Sequence, residues 1–96
     1  MRNYTVEKLL AGETVINKEP GNSMLPLIKS RQPVEIQPAI WENVEVDDIV
    51  YSKVHGSYYT HLVKAKDPNK GVLIGNNKGG INGWTKTVYG KITKIL

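Results

Sequence analysis

Two side chains in this sequence have the chemistry for acyl transfer, Ser23 and His61, 38 residues apart. Ser23 lies in "GNSMLP", residues 21 to 26, where a Gly-Asn pair and Pro26 interrupt both the helical and the strand period. Gly21 is free to take backbone angles closed to other residues, and Pro26 stiffens the exit. Between them Asn22 and Met24 flank a serine held on a constrained corner with its backbone N–H available. Such a corner aims a nucleophile, or it is an ordinary turn whose serine bonds its own backbone. His61 belongs to "YYTHLVKAK". On an extended strand Tyr59, His61, Val63 and Ala65 share one face, and Thr60, Leu62, Lys64 and Lys66 share the other. The histidine is thus set among apolar neighbours, where partial burial disfavours the imidazolium and holds the ring in the neutral form that a general base requires. A core histidine with a satisfied ring reads the same way. Lys64 is the other candidate base, but it points away from the face that carries His61.

The elements that must position these two residues are short. Val6, Leu9 and Leu10 have helical spacing, Asn3 or Thr5 can cap, and Gly12 suits the left-handed end of a helix, so residues 1 to 12 are expected to form one N-terminal helix. From residue 13 the period changes to two: "ETVIN", "PVEIQ", "DIVYSKV", "SYYTHLVKAK", "GVLIG" and "KTVYGKITKIL" read as about six strands, separated by turn residues such as Pro20-Gly21, His55-Gly56 and Asp67-Pro68-Asn69. That makes a single mainly β domain over residues 1 to 96, a small coiled ribbon or partly open barrel with one short helix, because so many strands in so short a chain close their edges best by coiling.

Composition narrows the chemistry further. With no cysteine and only His55 and His61 as imidazoles, neither a thiolate nor a metal centre is expected, and no cofactor is implied. No apolar run is long enough for a secretory leader or a bilayer span, so the expected setting is a soluble protein of the cytoplasm. Residues 1 to 50 carry five Lys/Arg against eight Asp/Glu, whereas residues 51 to 96 carry eight lysines against Asp67 alone. A basic surface of this kind can hold nucleic acid, but lysines alternating with apolar residues are also how a solvated sheet face reads, and the latter is the favoured reading.

Taken in order, Gly21-Asn22-Ser23-Met24-Leu25-Pro26, "PVEIQP", "VEVDDIVYSKV", "YYTHLV", "GVLIGNN" and "VYGKITKI" resemble the successive boxes of the signal-peptidase and SOS-repressor superfamily of serine peptidases, over nearly the whole chain. The resemblance implies that Ser23 is the nucleophile, that the Ser23 N–H is an oxyanion donor in a loop formed with Gly21, Asn22, Met24 and Pro26, and that His61 is the base. A histidine at that position is similar to the endoplasmic-reticulum type of signal peptidase; bacterial signal peptidases and SOS repressors have lysine there. The chain departs from the pattern in two places. Asp47-Asp48 stands where the family usually has Gly-Asp, a change of turn chemistry. "GNNKGGINGW" stands where the endoplasmic-reticulum enzymes have the aspartate that orients the histidine, and it contains no carboxylate. Asn82 can orient His61 through its amide oxygen, as an asparagine does in papain-like proteases, or Asn82-Gly83 can be a hairpin turn between apolar residues; Asn76 and Asn77 are alternative orienters.

With no membrane anchor and no DNA-binding domain ahead of the serine box, the resemblance implies neither membrane-bound preprotein processing nor a repressor. Ala11-Gly12 is similar to the bond that SOS repressors cut in themselves, but the end of a helix already accounts for the glycine. The expectation is a soluble endopeptidase using a Ser23–His61 dyad on a peptide or protein substrate bound as an extended strand. The alternative is a catalytically impaired relative acting as a protein-binding or weak nucleic-acid-binding module. A Ser23 hydroxyl within hydrogen-bond reach of His61 Nε2, in a cleft, distinguishes the first from the second.

Overall fold

The computed structural model describes residues 3–96; Met1 and Arg2, at the start of the expected helix, lie outside the described residues. The helix, α1, is Tyr4–Leu10. Asn3 caps it, with its Oδ1 accepting the Val6 N–H at 3.0 Å. It stops short of residue 12 because the Gly12 and Glu13 N–H groups turn back to the Leu9 and Lys8 carbonyls, with Gly12 at φ +85°.

Seven strands follow among the described residues: β1 (Val15–Asn17), β2 (Val34–Pro38), β3 (Ile49–Val54), β4 (Ser57–Asp67), β5 (Gly71–Gly75), β6 (Ile81–Thr85) and β7 (Val88–Ile95). They form one antiparallel sheet in the order β1-β2-β7-β3-β4-β5-β6, so the fold is mainly β with one short helix, as the period-two segments imply. The strand beyond the expected six is β6, whose Asn82-Gly83 pair the sequence presents as a hairpin turn. The turn lies instead at residues 76 to 80. His55 and Gly56, both at positive φ, make the two-residue turn between β3 and β4. Between β4 and β5 the Asp67 carboxylate accepts the Asn69 and Lys70 N–H groups at 2.8 and 3.0 Å, and these bonds hold its carboxyl below the usual carboxylate range.

The sheet buries both faces and curls. One cluster is formed by Val44, Val50, Val54, Val63, Val72, Ile74 and Val88; the other places Leu9 of α1 against Val15, Val34, Ile36, Tyr51 and Ile92. Curling brings the end of β6 back to β3, where the Thr85 hydroxyl donates to the Lys53 carbonyl at 2.8 Å although two strands lie between them. Four register shifts supply the bending. One of them corrects the face assignment of β4. Val63 pairs with Ile74 and Ala65 with Leu73, so Lys64 is an extra residue. Past that bulge Ala65 turns off the His61 face, and Lys66 comes round to it, with its Nζ donating to the Val44 carbonyl at 2.6 Å. No helix among the described residues is long and apolar enough to cross a membrane.

Candidate functional site

The chain between β1 and β2 does not form regular structure, and its turns are built around the serine. Gly21, at φ +116°, starts the loop, and its N–H donates to Ser30 Oγ at 3.1 Å. Met24, only 5% exposed, drives the middle of the loop into the core, a burial worth about 1.5–3 kcal/mol. Leu27 and Ile28 both donate to the Met24 carbonyl, closing a turn that encloses the cis Leu25-Pro26 bond. Ser23 is thereby lifted on a corner, half-buried, beside the middle of β4.

There it meets His61. Ser23 Oγ and His61 Nε2 are 3.0 Å apart, within ordinary hydrogen-bond distance. His61 is 8% exposed, so the ring is largely buried, but it lines the same cleft as Ser23, with Gly21, Met24, Ile28, Val34 and Thr60 among the other walls. On its far side Nδ1 lies 2.7 Å from Asn82 Oδ1. An amide oxygen only accepts, so Nδ1 is the ring nitrogen that donates to Asn82, and in the singly protonated ring Nε2 accepts from the Ser23 hydroxyl. The Tyr59 ring stacks on the imidazole with centroids 5.0 Å apart and fixes its plane. Lys64, the alternative base, is the bulge residue and its stem passes over Gly75, with Cε 3.1 Å from where a Cβ there would stand.

A bulge also aims Asn82. In β6, Gly83 pairs with Ile74 and Ile81 with Gly75, which leaves Asn82 as the extra residue and redirects its side chain toward β4. Gly83 makes this possible: its φ is +140°, and a Cβ there would stand 2.9 Å from His55 Nε2. The other two asparagines weighed as orienters do something else. Asn76 Oδ1 accepts the Lys78 and Gly80 N–H groups, both at 2.8 Å, and shapes the β5–β6 turn. Asn77 reaches the serine loop: its N–H donates to the Ser23 carbonyl and its Nδ2 to the Leu25 carbonyl, each at 2.9 Å. Sequence reasoning did not find this link, because contacts made to backbone carbonyls leave no mark on the residue types they touch. Tyr59 was legible as a residue on the His61 face, though not as its stacking partner.

The basic half is largely occupied with its own surroundings. Lys53 lies over the Tyr58 ring, Lys70 over Trp84 and Lys86 over Trp41, at 5.2, 5.5 and 5.6 Å from the ring centroids, and Lys91 pairs with Asp48 at 3.3 Å. The comparisons with protein-family models, with curated proteins and with solved structures gave no match.

Proposed function

We propose that this chain is a serine endopeptidase in which Ser23 and His61 cleave a peptide or protein bound as an extended strand. The observation that carries this reading is the continuous path from Ser23 Oγ through the imidazole to Asn82, with steps of 3.0 and 2.7 Å, opening on a cleft. The Ser23 hydroxyl gives its proton to Nε2 as Oγ bonds the scissile carbonyl carbon, and negative charge moves to the carbonyl oxygen, for which the Ser23 N–H is a donor. Nε2 then returns the proton to the departing amine, the C–N bond breaks, and an ester remains on Ser23. A water that loses a proton to His61 hydrolyses that ester and regenerates the hydroxyl.

Two features favour a strand-like substrate. The cleft holds only about 50 Å³, room for one small side chain rather than a whole ligand. As an end strand of the sheet, β1 leaves one side of its backbone unpaired by other strands, and the chain runs from it through residues 18 to 22 to the serine. An extended peptide added to that edge is led to Ser23. The resemblance of the ordered boxes to the signal-peptidase and SOS-repressor superfamily points to the same chemistry.

The neutral Asn82 favours a second reading, a module that keeps the groove and has lost efficient turnover, because an amide does not supply the charge that stabilises an imidazolium. Digestion of a peptide library by the protein and by Ser23→Ala, side by side, tests the first reading. Cleavage that disappears in the variant is expected. A wild type that cleaves nothing while still retaining peptides on a column replaces the peptidase with the module.

A further inference from the structure

The hairpin that carries Asn82 also holds the nucleophile loop. Its turn is stiffened from within, since Asn76 N–H donates to the Gly80 carbonyl at 2.9 Å while Asn76 Oδ1 accepts the Lys78 and Gly80 N–H groups. From this stiff base Asn77 extends two donors to two carbonyls, those of Ser23 and Leu25, which bracket Met24. Two fixed carbonyls two residues apart set the Ser23–Met24 and Leu25–Pro26 peptide planes, and with them the backbone from which the Ser23 hydroxyl projects. Five residues further along the same hairpin, Asn82 fixes the imidazole. One element therefore fixes both partners of the 3.0 Å contact.

We infer that Asn77 is a positioning residue that sets the Ser23 hydroxyl against His61, so that the β5–β6 hairpin assembles the pair from both sides. For turnover this rests on the peptidase reading given above. Asn77 does not line the cleft, so its effect is on the reacting geometry and not on substrate contact. A nucleophile misplaced by about 1 Å costs on the order of a hundredfold in rate; loosening one of two anchor points costs less, about tenfold.

The test is Asn77→Asp, equal in shape but without the δ donor, with Asn77→Ala in reserve if the aspartate does not fold and Asn77→Gln as the variant that restores an amide. Steady-state kinetics on a peptide taken from the library and the ¹⁵N resonance of His61 Nε2 are read on folded protein. The expected result is a kcat about tenfold lower with KM within twofold, partial recovery in Asn77→Gln, and an Nε2 resonance displaced toward its position in Ser23→Ala. An Nε2 resonance at the wild-type position, or a loss confined to KM, overturns the inference while leaving the peptidase intact. A wild type that cleaves nothing although Asn77→Asp displaces the resonance overturns the peptidase reading alone and supports Asn77 as the residue that positions the Ser23–His61 contact.

Discussion

Asn82 presents an oxygen to His61 Nδ1 at 2.7 Å and so fixes the tautomer in which Nε2 accepts from Ser23. Where an asparagine turns its NH₂ to the ring instead, the wrong tautomer results and the loss is large; here only the charge of a carboxylate is missing. Hydrogen bonds to ionised groups are roughly twice as strong as neutral ones, a gain of about 1–1.5 kcal/mol, so Asn82→Asp is expected to raise kcat about tenfold. An unchanged rate would show that Asn82 does not assist the base. Ser23→Ala and His61→Ala are each expected to remove nearly all cleavage, and the double variant to be no worse than either, because two members of one proton-transfer unit fail together; additive losses in the same assay would separate them. The pairing of Ser23 with His61, 3.0 Å apart, was legible because their residue types carry complementary chemistry. Asn82 was legible only as one of three candidates, since the bulge that selects it over Asn76 and Asn77 is a property of strand pairing.

Among the elements, strands marked by their own apolar residues were legible, and the one interrupted by an Asn-Gly pair was not. β5 falls on the residues its apolar run marks, and β3 and β4 come within a residue of theirs, but β6 was hidden by an Asn-Gly pair that in another context turns a hairpin. A glycine inside a strand pattern signals a bulge as well as a turn, and only the pairing partner decides between them. The Asp47-Asp48 departure belongs at this scale. Asp47 lies at φ +76°, the left-handed region that favours the glycine usual at this point in the family it resembles. Its N–H donates to the Val63 carbonyl at 2.8 Å, so that conformation is held by β4. Asp47→Gly is expected to relieve about 0.5–1 kcal/mol and to raise the melting temperature by about 2–8 °C, with no change in cleavage. A lower melting temperature in a calorimetric scan would show that the aspartate side chain contributes more than its backbone costs.

Over the whole molecule the net charge is +4, divided so that all acidic residues but Asp67 fall in the half containing the serine loop and most lysines in the half that builds most of β3 and all of β4 to β7. Read as sequence, that half admits a polyanion-binding face. In the fold, Lys53, Lys70 and Lys86 lie against aromatic rings, Lys66 donates to two backbone carbonyls and Lys91 pairs with Asp48. Each of these contacts must be given up, or shared, when a phosphate approaches. The remaining attraction is the diffuse field of a mildly basic protein, which gives association without sequence preference. Titration of a fluorescent duplex followed by anisotropy is therefore expected to give a Kd of about 10–100 μM at physiological salt, equal for unrelated sequences, and a log–log dependence on salt no steeper than about −2, the neutralisation of roughly two phosphates at about −0.9 each. Lys53→Ala and Lys86→Ala are expected to leave that slope nearly unchanged, because their charges are already engaged by Tyr58 and Trp41. Nanomolar, sequence-selective binding with a slope near −5 would mean that these lysines leave their rings to meet a nucleic acid, and would make the basic face a functional surface in its own right.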